Sequence, residues 1–230
     1  MKHCQKYLSA CLLGTVALLG GASTALAADA PLLGTASSFA VLSTASNTGG
    51  AVTCTDATIV GDVGSSGLLS AVDQTRCSIA GTITAPVSNQ VLSDFYSAYD
   101  VLATSRCEQV LTGTLAGAIL APGVYCFESA AALTGKLTLD GPSDGVWIFL
   151  IDGGLTGNSA SVVMANGGQA CNVFWGPSGA ATMTVSNLKG TVLAGAAITL
   201  TGGTFIGRAL AIDAVTMTGV AATGCAASNI

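Results

Sequence analysis

The C-terminal third of the chain repeats itself at a shift of seventeen residues, and few folds accommodate such a repeat. Under that shift Gly190 falls on Gly207, Leu193 on Leu210 and Ala194 on Ala211. The run Ala197-Ile198-Thr199-Leu200-Thr201-Gly202 falls on Ala214-Val215-Thr216-Met217-Thr218-Gly219. Ala180-Ala181-Thr182-Met183-Thr184 occupies the same columns one period earlier. An apolar-Thr-apolar-Thr alternation at constant spacing is the pattern of stacked β-solenoid coils, each of which buries its apolar positions only against its neighbours. Side chains alternate between the two faces of a strand. Ala181, Met183, Ile198, Leu200, Val215 and Met217 are therefore predicted to point inward, and the threonines outward.

In that phasing Thr182, Thr199 and Thr216 form one outward column, and Thr184, Thr201 and Thr218 a second. The columns lie ~6.7 Å apart along the strand, and successive coils are ~4.8 Å apart. Both distances are close to repeat spacings of hexagonal ice. Each threonine presents a hydroxyl that can hydrogen-bond water and a methyl group that water can only surround. Its β-branched side chain is stiff at χ1, so a grid of threonines is ordered before anything binds. A lone outward Thr-x-Thr is ordinary strand chemistry, since threonine favours strands. Three in register form a patterned surface.

Elsewhere short Val/Ile/Leu/Thr runs alternate with Gly, Asn, Asp and Ser, which predicts many short strands. Thr53-Cys54-Thr55 and Thr82-Ile83-Thr84 look like strands of the same type, although the period blurs too much to phase them. One segment differs. From Pro86 to about Thr104, Val87, Val91, Leu92, Phe95, Tyr96, Tyr99 and Leu102 follow helical spacing, with Pro86 suited to a first turn and Asp94 and Asp100 largely on the opposite side. One amphipathic helix over about 86–104 is expected, its apolar stripe against the strands.

Residues 1–27 read as an export signal: Lys2 and Lys6, an apolar run from Leu8, and the small-x-small site Ala25-Leu26-Ala27. Leu8-Ser9-Ala10-Cys11 resembles a lipobox, but the apolar run follows Cys11 instead of preceding it. Residues 28–230 are then one secreted domain, with no stretch apolar enough to span a bilayer. Without Lys2 and Lys6, five basic residues face twelve acidic ones. Such a chain lacks the basic stripe that nucleic acid or an anionic membrane requires. Only 8% of residues are charged, against about a quarter in ordinary domains. Its surface must be largely Ala, Gly, Ser and Thr, which suits an uncharged partner.

Six cysteines remain after the signal: Cys54, Cys77, Cys107, Cys126, Cys171 and Cys225. An even number in an exported chain reads as disulfides. The sequence does not select among the pairings, and the sequence-neighbour set Cys54–Cys77, Cys107–Cys126 and Cys171–Cys225 is taken as the expectation. There is no Cys-x-x-Cys, and the one histidine, His3, lies in the signal, so no zinc site or other cofactor is expected.

Several blocks, in order, resemble the DUF3494-type family of microbial ice-binding proteins. They are Leu33-Gly34-Thr35-Ala36-Ser37-Ser38-Phe39-Ala40-Val41-Leu42, Val60-Gly61-Asp62-Val63-Gly64, Leu120-Ala121-Pro122-Gly123-Val124-Tyr125, Val146-Trp147-Ile148-Phe149, Asn172-Val173-Phe174-Trp175 and Gly207-Arg208-Ala209-Leu210-Ala211. The resemblance implies a discontinuous right-handed β-solenoid with three faces, a long helix packed alongside, and one face that binds ice. A loose Thr-Ala/Gly-x-Thr/Asn motif described for some members is matched by Thr201-Gly202-Gly203-Thr204 and Thr44-Ala45-Ser46-Asn47. Thr218-Gly219-Val220-Ala221 departs at its last position. The expected ice-binding set is therefore Thr182, Thr184, Thr199, Thr201, Thr204, Thr216 and Thr218, on a monomer whose partner is an ice crystal surface.

Two other readings compete. β-Helical scaffolds also carry polysaccharide-cleaving enzymes, but residues 28–230 contain no histidine for a Ser-His-Asp or Cys-His site. Asp140, Asp144 and Asp152 could pair as carboxylates, yet Asp140-Gly141-Pro142 and Asp144-Gly145 read first as turns. An extracellular structural or adhesion module on the same fold would leave the threonines as ordinary solvated strand faces. Trp147, Phe149, Phe174 and Trp175 could suggest a sugar-stacking platform, but their apolar strand context places them in the core or at coil ends.

Overall fold

The computed structural model describes residues 28–45 and 50–225. The export signal and Ser46-Asn47 of the second threonine motif lie outside the described residues. All strand pairings are parallel, and they form three ladders that share one stack of coils.

Ladder A contains Gln109–Val110, Gly123–Phe127, Trp147–Ile151, Val173–Pro177 and the ends of Ala181–Ala194 and Ile198–Ala211. It continues through Phe39–Ser43, Asp62–Ser65 and Ile83–Thr84. Ladder B takes the first halves of Ala131–Asp140, Leu155–Ala165, Ala181–Ala194 and Ile198–Ala211, then Val215–Thr218, Val52–Thr55 and Val72–Thr75. Ladder C runs through the remaining strand segments to Ala221–Thr223, Thr58–Val60 and Ser78–Ala80. The stack is discontinuous in sequence. N-terminal coils rest on the C-terminal one, with Val41 beside Ala209 and Val52 beside Val215. The chain then crosses to the far end and winds back.

That crossing is made by the helix Asn89–Ala103. It begins three residues later than the spacing predicts, because Ser88 is the cap and its hydroxyl accepts from the Val91 N–H at 3.4 Å. Pro86 therefore precedes the helix. Val91, Phe95, Ala98 and Leu102 are buried and pack with Leu42, Val124, Ile148, Phe174, Leu193 and Leu210 on the outer side of ladder A. Asp94 has a partner as well as solvent: its carboxylate accepts from the Thr35 N–H and hydroxyl, both at 2.7 Å, and from Gln90. This fastens the helix to the turn Gly34–Ser38.

Inside the coils, a second core runs the length of the stack. Tyr125, Phe149 and Trp175 stack on successive coils at centroid distances of 5.5 and 4.1 Å. The indole N–H groups of Trp147 and Trp175 donate to the carbonyls of Leu120 and Lys189. All four aromatic residues singled out in the sequence are buried, so none offers a platform to a sugar.

Disulfides join Cys54 to Cys77, Cys107 to Cys126 and Cys171 to Cys225, the sequence-neighbour arrangement. The first two clip the terminal coils at opposite ends of the stack, where a coil has one neighbour instead of two. Among the described residues no helix is long and apolar enough to cross a membrane.

Candidate functional site

Ladders A and B differ in what covers them. The helix lies over ladder A, whereas nothing among the described residues covers ladder B. On ladder B the inward positions are Leu155 and Gly157, Ala181 and Met183, Ile198 and Leu200, Val215 and Met217, and Val52 and Cys54, all buried. Gly157 leaves the space that Met183 fills, since a Cβ there would stand 2.3 Å from the Met183 sulfur. The six inward residues predicted from the repeat are all buried.

The outward positions form two columns in strict register. The first reads Thr156, Thr182, Thr199, Thr216, Thr53; the second reads Asn158, Thr184, Thr201, Thr218, Thr55. Each threonine is exposed or half-exposed. Thr156 makes a long contact of 3.4 Å to the Ala131 carbonyl. The hydroxyls of the other eight threonines bond to nothing within the described protein, and so face solvent. No residue of these five rungs is charged.

A sharp corner ends every rung of ladder B. The residue after the second column has positive φ in seven successive coils: Gly135, Ser159, Val185, Gly202, Gly219, Asp56 and Arg76, at 65°, 51°, 46°, 65°, 63°, 50° and 50°. A left-handed residue at one fixed position bends the chain at the same point in each coil, which keeps the columns straight and the ladder edge aligned. At one end of that edge the Arg76 guanidinium grips both carboxylate oxygens of Asp56, at 2.5 and 2.6 Å. Hydrogen bonding from Arg76 holds the Asp56 carboxyl below its ordinary range.

Six of the seven threonines expected from the sequence thus stand together on ladder B. Thr204 does not. It lies past the Gly202-Gly203 corner on ladder C, where its hydroxyl donates to the Asn187 side chain at 2.8 Å. The repeat had reached only three rungs. Thr53 and Thr55 extend both columns and Thr156 extends the first, while Thr82-Ile83-Thr84 belongs elsewhere, since Ile83–Thr84 pairs on ladder A. A signal for the extra rungs was present in Thr53-Cys54-Thr55, but nothing in the sequence states that it sits beside Thr216-Met217-Thr218.

The carboxylates considered for catalysis sit at a strand end, in a turn and at a corner. Asp140 ends a ladder C strand and accepts from Asn166, and Asp144 sits in an exposed turn closed by the Gly145 N–H to the Pro142 carbonyl. Asp152 lies at a different corner, after Trp147–Ile151. Among the described residues no group of three or more His, Cys, Asp or Glu is placed to hold a metal ion.

The Ice-binding-like family matches residues 9–223 of the chain. An ice-binding protein of Nostoc sp. (strain HG1) is 40% identical over 211 residues, covering 88% of this chain and 76% of that protein. One from Flavobacterium frigoris (strain PS1) is 31% identical over 199 residues, covering 78% and 71%. Among solved structures, the ice-binding protein of the Antarctic ascomycete Antarctomyces psychrotrophicus aligns with a TM-score of 0.76 at 32% identity, over 89% of this chain and all of that one.

Proposed function

Since the chain belongs to the Ice-binding-like family, we propose that it is a secreted, monomeric ice-binding protein that adsorbs to ice through ladder B of a single domain, residues 28–230. The observation that carries this reading is the double column of threonines, eight of whose nine hydroxyls bond to nothing among the described residues, on five uncharged rungs that nothing among those residues covers. The coils wind right-handedly, as parallel crossovers almost always do. Export by way of residues 1–27 accords with the three disulfides.

The action is physical rather than catalytic. Methyl groups along each column leave water no partner on the protein side, while the hydroxyls anchor water at the spacing of the rungs. The ordered layer then merges with a crystal plane of matching repeat. The strands are held by ladder hydrogen bonds and the threonines by their branching, so little conformational freedom is lost on contact. Adsorbed molecules pin the ice surface, which must bulge between them, and a curved surface grows only at a lower temperature. The expected results are a gap between melting and freezing points and slower recrystallisation.

The test is partitioning of the purified protein into slowly growing ice, together with thermal hysteresis of the parent and of Thr199→Tyr. Thr199 sits at the middle rung, between Thr182 and Thr216, so a ring there holds the crystal off both columns. Enrichment in ice, and a reduced gap for a variant of unchanged melting temperature, are expected. Exclusion of the folded parent from ice overturns the reading in favour of a structural module. An unchanged gap in folded Thr199→Tyr moves the site off ladder B.

A further inference from the structure

The first threonine column is broken at one end by a single side chain. Beyond Thr53 and Thr55 the next rung is Asp73 and Thr75, with Thr53 opposite Asp73 and Thr55 opposite Thr75. The second column therefore gains another threonine where the first meets an exposed carboxylate. The backbone of that rung is in register and its corner at Arg76 repeats the same left-handed geometry. Of the two outward side chains of that rung, only the one at position 73 departs from the pattern. At the opposite end the column stops differently: Ala132 follows Thr156, beside Thr134, with a methyl group and no charge.

The Asp73 rung is polar at its second inward position too. Gln74 is exposed at the position where Cys54, Met217 and Leu200 are buried, because among the described residues no further coil lies above it. The Asp56–Arg76 ion pair stands at the corner of the last two rungs. A hydrophilic outer repeat is what a solenoid needs at its end.

We propose that Asp73 terminates the ice-contacting face, so that the five rungs from Thr156/Asn158 to Thr53/Thr55 engage the crystal and the terminal coil remains a hydrated cap. This rests on ladder B being the ice face. A carboxylate orients its water radially and keeps that shell at high cost of removal. Water held in that way has no place in a tetrahedral lattice, so the crystal contact ends one rung short of the scaffold.

The experiment compares thermal hysteresis, at equal molarity, of the parent, Asp73→Thr, Asp73→Asn and Asp144→Thr. Threonine suits a strand better than aspartate, so melting of Asp73→Thr should match or exceed the parent. The expected order is Asp73→Thr above Asp73→Asn above parent, the first by at least the ratio of six rungs to five. Asp144→Thr, which neutralises a carboxylate in a turn away from ladder B, should equal the parent. Folded position-73 variants no more active than an ice-active parent overturn the proposal while leaving ladder B as the site. An equal gain from Asp144→Thr overturns it too, by assigning the effect to net charge. A parent that ice does not retain removes the ladder B reading itself.

Discussion

Replacing Phe95 with alanine tests whether packing under the helix is physically separate from the ice contact proposed for ladder B. Phe95 is fully buried in the layer between the helix and ladder A, edge-on to Tyr96 at 5.3 Å and stacked with Tyr99 at 6.3 Å. Leu42, Leu193 and Leu210 of the same cluster sit on strands held by ladder hydrogen bonds on both sides, which resist collapse into the space. The cost should therefore reach the usual range for such a truncation, about 3–5 kcal/mol. For a chain of this size each kcal/mol lowers the melting temperature by roughly 2–4 °C, so a fall of about 6–20 °C is expected in circular-dichroism melts. Near freezing the variant should still be mostly folded, given a typical stability of about 5–15 kcal/mol. Ladder B is untouched, and thermal hysteresis per folded molecule should equal that of the parent. A loss under about 1 kcal/mol would refute the claim that Phe95 anchors the helix, because ordinary surface changes cost that little. A hysteresis gap that collapses while the protein stays folded would show that the helix side, not ladder B, contacts ice.

Val185 is a β-branched residue at a φ of 46° with 62% of its surface exposed. Val185→Gly should remove left-handed strain of about 1 kcal/mol while giving up little apolar burial, raising the midpoint of chemical denaturation; an unchanged or lower midpoint would count against strain at this corner. The Asp94 carboxyl is held below its ordinary range by the Thr35 hydroxyl, then the Thr35 N–H and Gln90. A carboxyl depressed in the folded state contributes stability that is complete above its unfolded value of about 4 and is lost as pH falls through the folded value. Asp94→Asn should therefore flatten the acid limb of melting temperature against pH and leave its shape near neutrality unchanged. A variant with the parent's acid limb would show that Asp94 is not the group responsible.

The local features were legible because they are periodic or chemical. Alternation placed Met183, Leu200 and Met217 inside and their flanking threonines outside, and helical spacing found the helix Asn89–Ala103 to within three residues at its start. The lateness of that start reflects a capping hydroxyl at Ser88, which a proline two residues earlier obscured. The repeat was visible only where the corner from ladder C to ladder A is compressed into Gly190 or Gly207. There Ala181–Ala194 and Ile198–Ala211 each run unbroken through all three ladders. After Ala131–Asp140 and Leu155–Ala165 that corner is a loop, 141–146 or 166–172, and a fixed shift loses the register.

What the amino-acid sequence by itself determined is thus a coil with apolar inside and threonine outside, together with three rungs of the candidate site. Tertiary structure alone decided how far the site extends. Thr53 and Thr55 join Thr216 and Thr218 because strands from opposite ends of the chain pair through backbone hydrogen bonds, and such bonds carry no side-chain signature. It also decided that Thr204 lies off the ladder and that Asp73 lies on it. Both outcomes depend on which side of a corner a residue falls, and that is set by the backbone turn and the neighbouring coil rather than by the residue's own preference.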